Sequence, residues 1–184
     1  MSADLFSDPV VHGVGSTLLA LLFLTGAASK ALAFDQFTGT LAAYRLIPEA
    51  GARAAALAVV CLEALSGVLS LQWLAVAGGA WVPVGFLGLV TLAAGVNLAR
   101  GHVDIDCGCG GTQGASKLSW AIVVRNAALI AIAAGLTHAP AERALSLLDG
   151  LSIAGGAISC FGVYVAFSQL TANGPVSQSA RQHP

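Results

Sequence analysis

PVVHGVGSTLLALLFLTGAAS, residues Pro9–Ser29, carries one ionisable side chain, His12, and is long enough to cross a bilayer, which takes about 20 mostly apolar residues. The run closes at Lys30. Upstream, Met1 to Asp8 hold Asp4 and Asp8 but no Lys or Arg, so the positive region of a cleavable signal is missing and this segment is expected to stay as a span. From Ala54 to Ala99 the only charge is Glu63, a run too long for one span and suited to two. Their turn falls at Gln72 with Trp73, or at Gly78 with Gly79, and Pro83 lies near the start of the second helix, where a missing N–H costs least.

A fourth apolar run, Leu118–Thr137, is interrupted by Arg125, and a fifth extends from Gly150 to about Leu170. Residues 34–53 differ: Phe34, Phe37, Leu41 and Tyr44 recur every three to four positions among Asp35, Arg45, Glu49 and Arg53, as in a short helix lying at the membrane interface. His138 to Arg143 is a Pro-containing loop, and Thr171–Pro184 reads as a disordered polar tail. The expected fold is all-α, a polytopic integral membrane helical bundle. It has about five transmembrane helices (a four-helix core plus one) and one interfacial helix. It forms a single domain over 1–170, with spans near 9–30, 54–73, 79–99, 118–137 and 150–170 and a tail over 171–184.

Composition agrees. Of 184 residues, 57% are hydrophobic and 9% charged, and the mean hydropathy is +0.82; a soluble domain carries about 25% charged residues. A net charge of -1 with eight Lys plus Arg excludes the basic stripe that nucleic-acid binding requires. No repeated half or pair of broken helices marks a secondary transporter. Small residues (Ser66 and Gly67, Gly85 and Gly88, Gly155, Gly156 and Ser159) are suited to close helix packing.

The longest polar break holds the chemistry. Val103-Asp104-Ile105-Asp106-Cys107-Gly108-Cys109-Gly110-Gly111 puts two thiols one residue apart among glycines, which reach turn geometries closed to other residues. A disulfide across one intervening residue is strained, and strained, exposed disulfides are the oxidising and catalytic ones. Cys107 and Cys109 are therefore the candidate catalytic dithiol of a thiol–disulfide oxidoreductase-like protein. Two other readings stay open: an inert pair in a turn, or metal ligation with His102 and an Asp, although structural zinc uses wider spacing. No metal site is assigned. His102, Arg100 and Lys117 favour the thiolate while Asp104 and Asp106 oppose it.

Cys61 and Cys160 each lie near the middle of a span, where lone cysteines are ordinarily small hydrophobes; they form a second redox pair only where their helices adjoin. Glu63, well inside the second span, is a functional candidate by its cost there. Its two readings are a proton relay, or a carboxylate paired with Arg125 or hydrogen-bonded between helices. Lys30 and Arg125 are expected to snorkel to one interface rather than to serve as ligands for an acidic or quinone-like group; no cofactor is assigned, with a quinone the one candidate left open.

In the five-span arrangement Lys30, Arg45, Arg53, Arg100, Lys117, Arg125 and Arg181 share one face, against Arg143 at the other. Basic residues mark the cytoplasmic side. The cysteine loop is then cytoplasmic and the N-terminus outside.

The segment Gly26-Ala-Ala-Ser-Lys30 and the loop Asp106-Cys107-Gly108-Cys109-Gly110-Gly111, set in a short multispan chain, resemble the methylamine utilisation family MauE, grouped with DoxX-like redox-associated membrane proteins. The likeness covers residues 9–170, and the Cys-Gly-Cys loop is its specific part. Many relatives carry an aromatic after the second cysteine, where this chain has Gly110. The resemblance implies a redox relay in the bacterial inner membrane, needed for maturation and disulfide formation of the methylamine dehydrogenase small (beta) subunit, with the thioredoxin-like MauD as partner. A non-catalytic assembly or chaperone subunit is the alternative, and a metal-handling or transport protein a further one. A periplasmic client conflicts with a cytoplasmic loop unless a span is miscounted or Cys61 and Cys160 carry electrons across.

Overall fold

The structure, a computed structural model, describes residues 6–72, 80–101 and 118–173, with side chains through Gln169. Every regular element among these is helical: α1 (Pro9–Leu32), α2 (Phe34–Ala43), a short 3-10 turn (Glu49–Gly51), α3 (Ala52–Leu71), α4 (Trp81–Ala99), α5 (Trp120–Gly135) and α6 (Leu147–Asn173). Four of them, α1, α3 with its 3-10 lead, α4 and α6, are long and apolar enough to cross a membrane. The fifth apolar helix, α5, has 16 residues, about 24 Å at 1.5 Å per residue against a hydrocarbon core of about 30 Å. The chain is a multi-pass helical membrane protein.

Local chemistry sets the helix ends. Asp8 caps α1, its carboxylate accepting from Val10 N at 2.8 Å and Val11 N at 3.3 Å, with Pro9 in the first turn, where it gives up no intrahelical bond. Ser146 and Asp149 cap α6 reciprocally: the carboxylate accepts from Ser146 N at 2.8 Å and Ser146 Oγ accepts from Asp149 N at 3.3 Å. Gly101, at φ 78, closes α4, the left-handed position that glycine fills without a Cβ clash. At its other end α6 runs to Asn173, three residues into the segment expected as tail.

α1 is the hub. It packs on α3, α6 and α5, while α4 bridges α3 and α5 and α2 lies on α3. Both α3 and α5 run antiparallel to α1. Gly26 faces Glu63 while Gly67 faces Leu24, so α3 runs against α1; Gly15 faces Ile132 and Leu136, so α5 does too. Close approach favours glycine at four helix contacts among the described residues, Gly26, Gly67, Gly135 and Gly156. A Cβ on Gly67 would sit 2.8 Å from Leu24 Cγ, and one on Gly156 of α6 would sit 2.9 Å from Val14 Cγ2, too near for any carbon.

Two apolar clusters hold the ends. One joins Leu19, Phe23, Phe86, Leu87, Ala133 and Leu136, with Phe23 and Phe86 edge to face at 5.9 Å. The other joins Tyr44, Ala94, Leu98, Leu118 and Ile122, so α4 ends and α5 begins beside α2. Despite its length α5 therefore links the two ends of the bundle. Leu147, Leu148, Leu151, Ile158, Val163 and Phe167 of α6 are exposed, an outward surface that suits lipid. The four-helix core is α1, α3, α4 and α5, and α6 is the added helix.

Candidate functional site

Cys107 and Cys109 lie outside the described residues, together with His102, Asp104, Asp106, Lys117, Trp73, Gly78, Gly79 and Arg181. The helix ends that bracket the cysteine segment are described. Leu98, three residues before Gly101, and Leu118 are both buried in the cluster with Tyr44. The described residues on either side of it thus lie at the α2 end of the bundle.

Directly beneath that cluster is a cavity of about 330 Å³, to which every helix contributes: Phe23, Gly26 and Lys30 of α1, Tyr44 beside α2, Glu63 of α3, Val90 and Ala93 of α4, Arg125 and Asn126 of α5, and Tyr164 of α6. Its walls are largely apolar and its charges few, the usual make-up of a small-molecule site. Tyr44, just past the end of α2, has its phenol pushed up to about 12 by burial, since the ionised ring is the form that loses hydration.

Glu63 is 7% exposed, about 16 Å along α3 from its first residue at 1.5 Å per residue. Both of its oxygens accept from Lys30 Nζ at 2.8 Å. The hydrogen bond between helices expected for Glu63 is present, with two corrections: its charged partner is Lys30 and not Arg125, and Lys30 turns into the bundle instead of snorkelling outward. A carboxylate this deep draws in the nearest cation, because pairing offsets more of the burial cost than a reach to the interface would. The ammonium also lies 5.8 Å from the Phe37 ring centroid, so α2 closes over the pair. Opposite charges in successive spans were the available sequence signal, but nothing in the spacing chose between Lys30 and Arg125.

Arg125 also points inward. Its Nη1 donates to Ser168 Oγ at 3.2 Å, its Nη2 to Asn126 Oδ1 at 3.3 Å, and its guanidinium lies 5.3 Å from the Tyr164 ring centroid. Sequence reasoning took it for an anchor and missed the cavity, which exists only once six segments meet.

The structure does not bring Cys61 and Cys160 together. Both are free thiols on exposed faces, on helices that each pack against α1 without an extensive contact of their own. Among the described residues no cluster of three or more His, Cys, Asp or Glu could hold a metal ion.

Residues 9–139 match the family described as methylamine utilisation protein MauE. Three curated relatives are similar along most of their length, all named methylamine utilization protein MauE. The Paracoccus versutus protein is 37% identical over 142 residues, covering 72% of this chain and 71% of its own. The Paracoccus denitrificans protein is 35% identical over 150 residues, 80% of each chain. The Methylorubrum extorquens protein is 37% identical over 169 residues, 84% of this chain and 86% of its own. No solved structure matches. With most of the bundle matched by the family and by relatives above 30% identity, this chain belongs to the MauE family of methylamine utilisation proteins.

Proposed function

We propose that this protein is a thiol–disulfide relay of the bacterial inner membrane that serves maturation of the methylamine dehydrogenase small subunit, with the thioredoxin-like MauD as its exchange partner. The observation that carries the reading is the Cys107-Gly108-Cys109 sequence in a family whose members are named for methylamine utilisation. One thiolate attacks a sulfur of the partner disulfide and releases the other partner sulfur as a thiolate. The neighbouring cysteine then attacks the mixed disulfide, so the partner leaves as a dithiol and Cys107 and Cys109 become bonded. Two electrons pass to the partner, and the reverse sequence returns them. The paired state of Glu63 with Lys30 leaves it a structural strut in this scheme, with proton transfer left to the thiols themselves.

Chains that keep one cysteine of the pair, Cys107→Ser and Cys109→Ser, are the test. The expected result is a reducible adduct between the membrane protein and the thioredoxin-like partner on one of them, with unprocessed small subunit in both. Complete maturation in both variants overturns the relay and leaves an assembly role.

A further inference from the structure

The cavity holds a positive charge that nothing among the described residues balances. Lys30 and Glu63 cancel each other at 2.8 Å. Arg125 is held by neutral groups alone, the Ser168 hydroxyl, the Asn126 amide oxygen and the Tyr164 ring. Its Nε is buried with no hydrogen-bond partner. A guanidinium does not give up its proton inside a protein, and a cation within a membrane-spanning helix ordinarily faces a counter-charge. One donor and one charge are therefore left over at the same place.

The remaining walls say what else an occupant must be. Phe23, Phe86, Val90 and Leu129 line the space between α1, α4 and α5, and its volume of about 330 Å³ is at the lower end of the ~300–1,000 Å³ common for small-molecule sites. A neutral acceptor would fill the open Nε–H but leave the charge standing. An anionic oxygen answers both. We propose that the cavity binds a lipid-soluble anion, its carboxylate or phosphate oxygens on Arg125 and its apolar body along α1 and α4. This inference does not depend on the thiol relay.

The test uses the full chain in a non-ionic detergent, titrated calorimetrically with oleate, with dodecyl phosphate and with the neutral decylubiquinone. One of the two anions is expected to bind saturably at one per chain, and the stronger of them identifies the head group. Arg125→Gln is expected to weaken it roughly tenfold or more, as removal of a buried charge partner does. Arg125→Lys should retain most of it. Val90→Phe, which fills the cavity without altering charge, should also weaken it, whereas Arg53→Gln, on an exposed guanidinium, should not. Folding of each variant is checked by its thermal transition, and Val90→Phe with Arg125→Lys decides the matter where Arg125→Gln fails to fold. Saturable binding of neither anion, binding indifferent to these cavity changes, or binding of decylubiquinone alone overturns the proposal.

Discussion

Lys30 Nζ stands 2.8 Å from each carboxylate oxygen of Glu63, a two-pronged ion pair that ties α1 to α3 inside an apolar bundle. Neither group is tolerable there alone. Glu63→Ala strands the ammonium and is expected to destabilise the protein by about 3–5 kcal/mol, whereas Lys30→Met combined with Glu63→Leu, which removes both charges and keeps the volume, should recover most of that loss. A double-mutant cycle on thermal unfolding in detergent checks the coupling.

The close crossing of α1 and α3 depends on a missing side chain at Gly67, where a Cβ would meet Leu24 Cγ at 2.8 Å and the Leu24 backbone nitrogen at 3.3 Å. Gly67→Ala is expected to cost about 1–3 kcal/mol through overpacking. Gly85→Ala, where a Cβ meets nothing within 4 Å, should be neutral or raise stability by up to about 1 kcal/mol through helix propensity. Thermal unfolding of the two variants side by side separates a packing requirement from a general dislike of added methyl groups.

Tyr44 supplies a pH dependence. Its phenol ionises near 10 in an unfolded chain and is pushed up to about 12 by burial in the fold, so the unfolded state loses its proton first. The stability from keeping Tyr44 neutral is fully present below pH about 10 and is lost as the pH rises towards about 12. In a Tyr164→Phe chain, Tyr44 is the remaining tyrosine of the two. Ultraviolet titration of tyrosinate should therefore show the raised value directly, and Tyr44→Phe should remove that part of the alkaline loss of stability.

The bundle places Gly39 on α2 at the end where Leu98 and Leu118, described residues on either side of the cysteine segment, are buried, and His138 beside Leu136 at the opposite end. In a chain whose other cysteines are serine, Gly39→Cys and the native Cys107 should react with an impermeant maleimide from the same side of the membrane. His138→Cys should react from the other. Labelling of Gly39→Cys and Cys107 from opposite sides would contradict this expectation.

Cys61 and Cys160 stay on exposed faces of helices that share no extensive contact. The combined change Cys61→Ser with Cys160→Ser is therefore expected to leave growth on methylamine near normal. Cys107→Ser or Cys109→Ser should stop it, with equal amounts of each protein in the membrane fraction.

Hydropathy alone determined that this chain is a multi-pass helical bundle. An apolar run such as Pro9–Ser29 has no stable alternative in lipid, where each backbone polar group must be bonded within its own helix. A short helix within residues 34–53 was legible for a similar reason, since its apolar spacing among charges matches one face of a helix, although it ends at Ala43 and the next span begins at Ala52. The Cys107-Gly108-Cys109 motif was equally open to reading because it needs only a short run of sequence. What only the tertiary structure decided is which distant groups meet: Lys30 with Glu63, Arg125 with Tyr164 and Ser168, and the cavity between them. A span's periodicity shows that a residue is intramembrane but not which way it faces. The direction came from the small-residue crossings at Gly67 and Gly156, which set the rotation of α3 and α6 against α1 and so chose the partner of each buried charge.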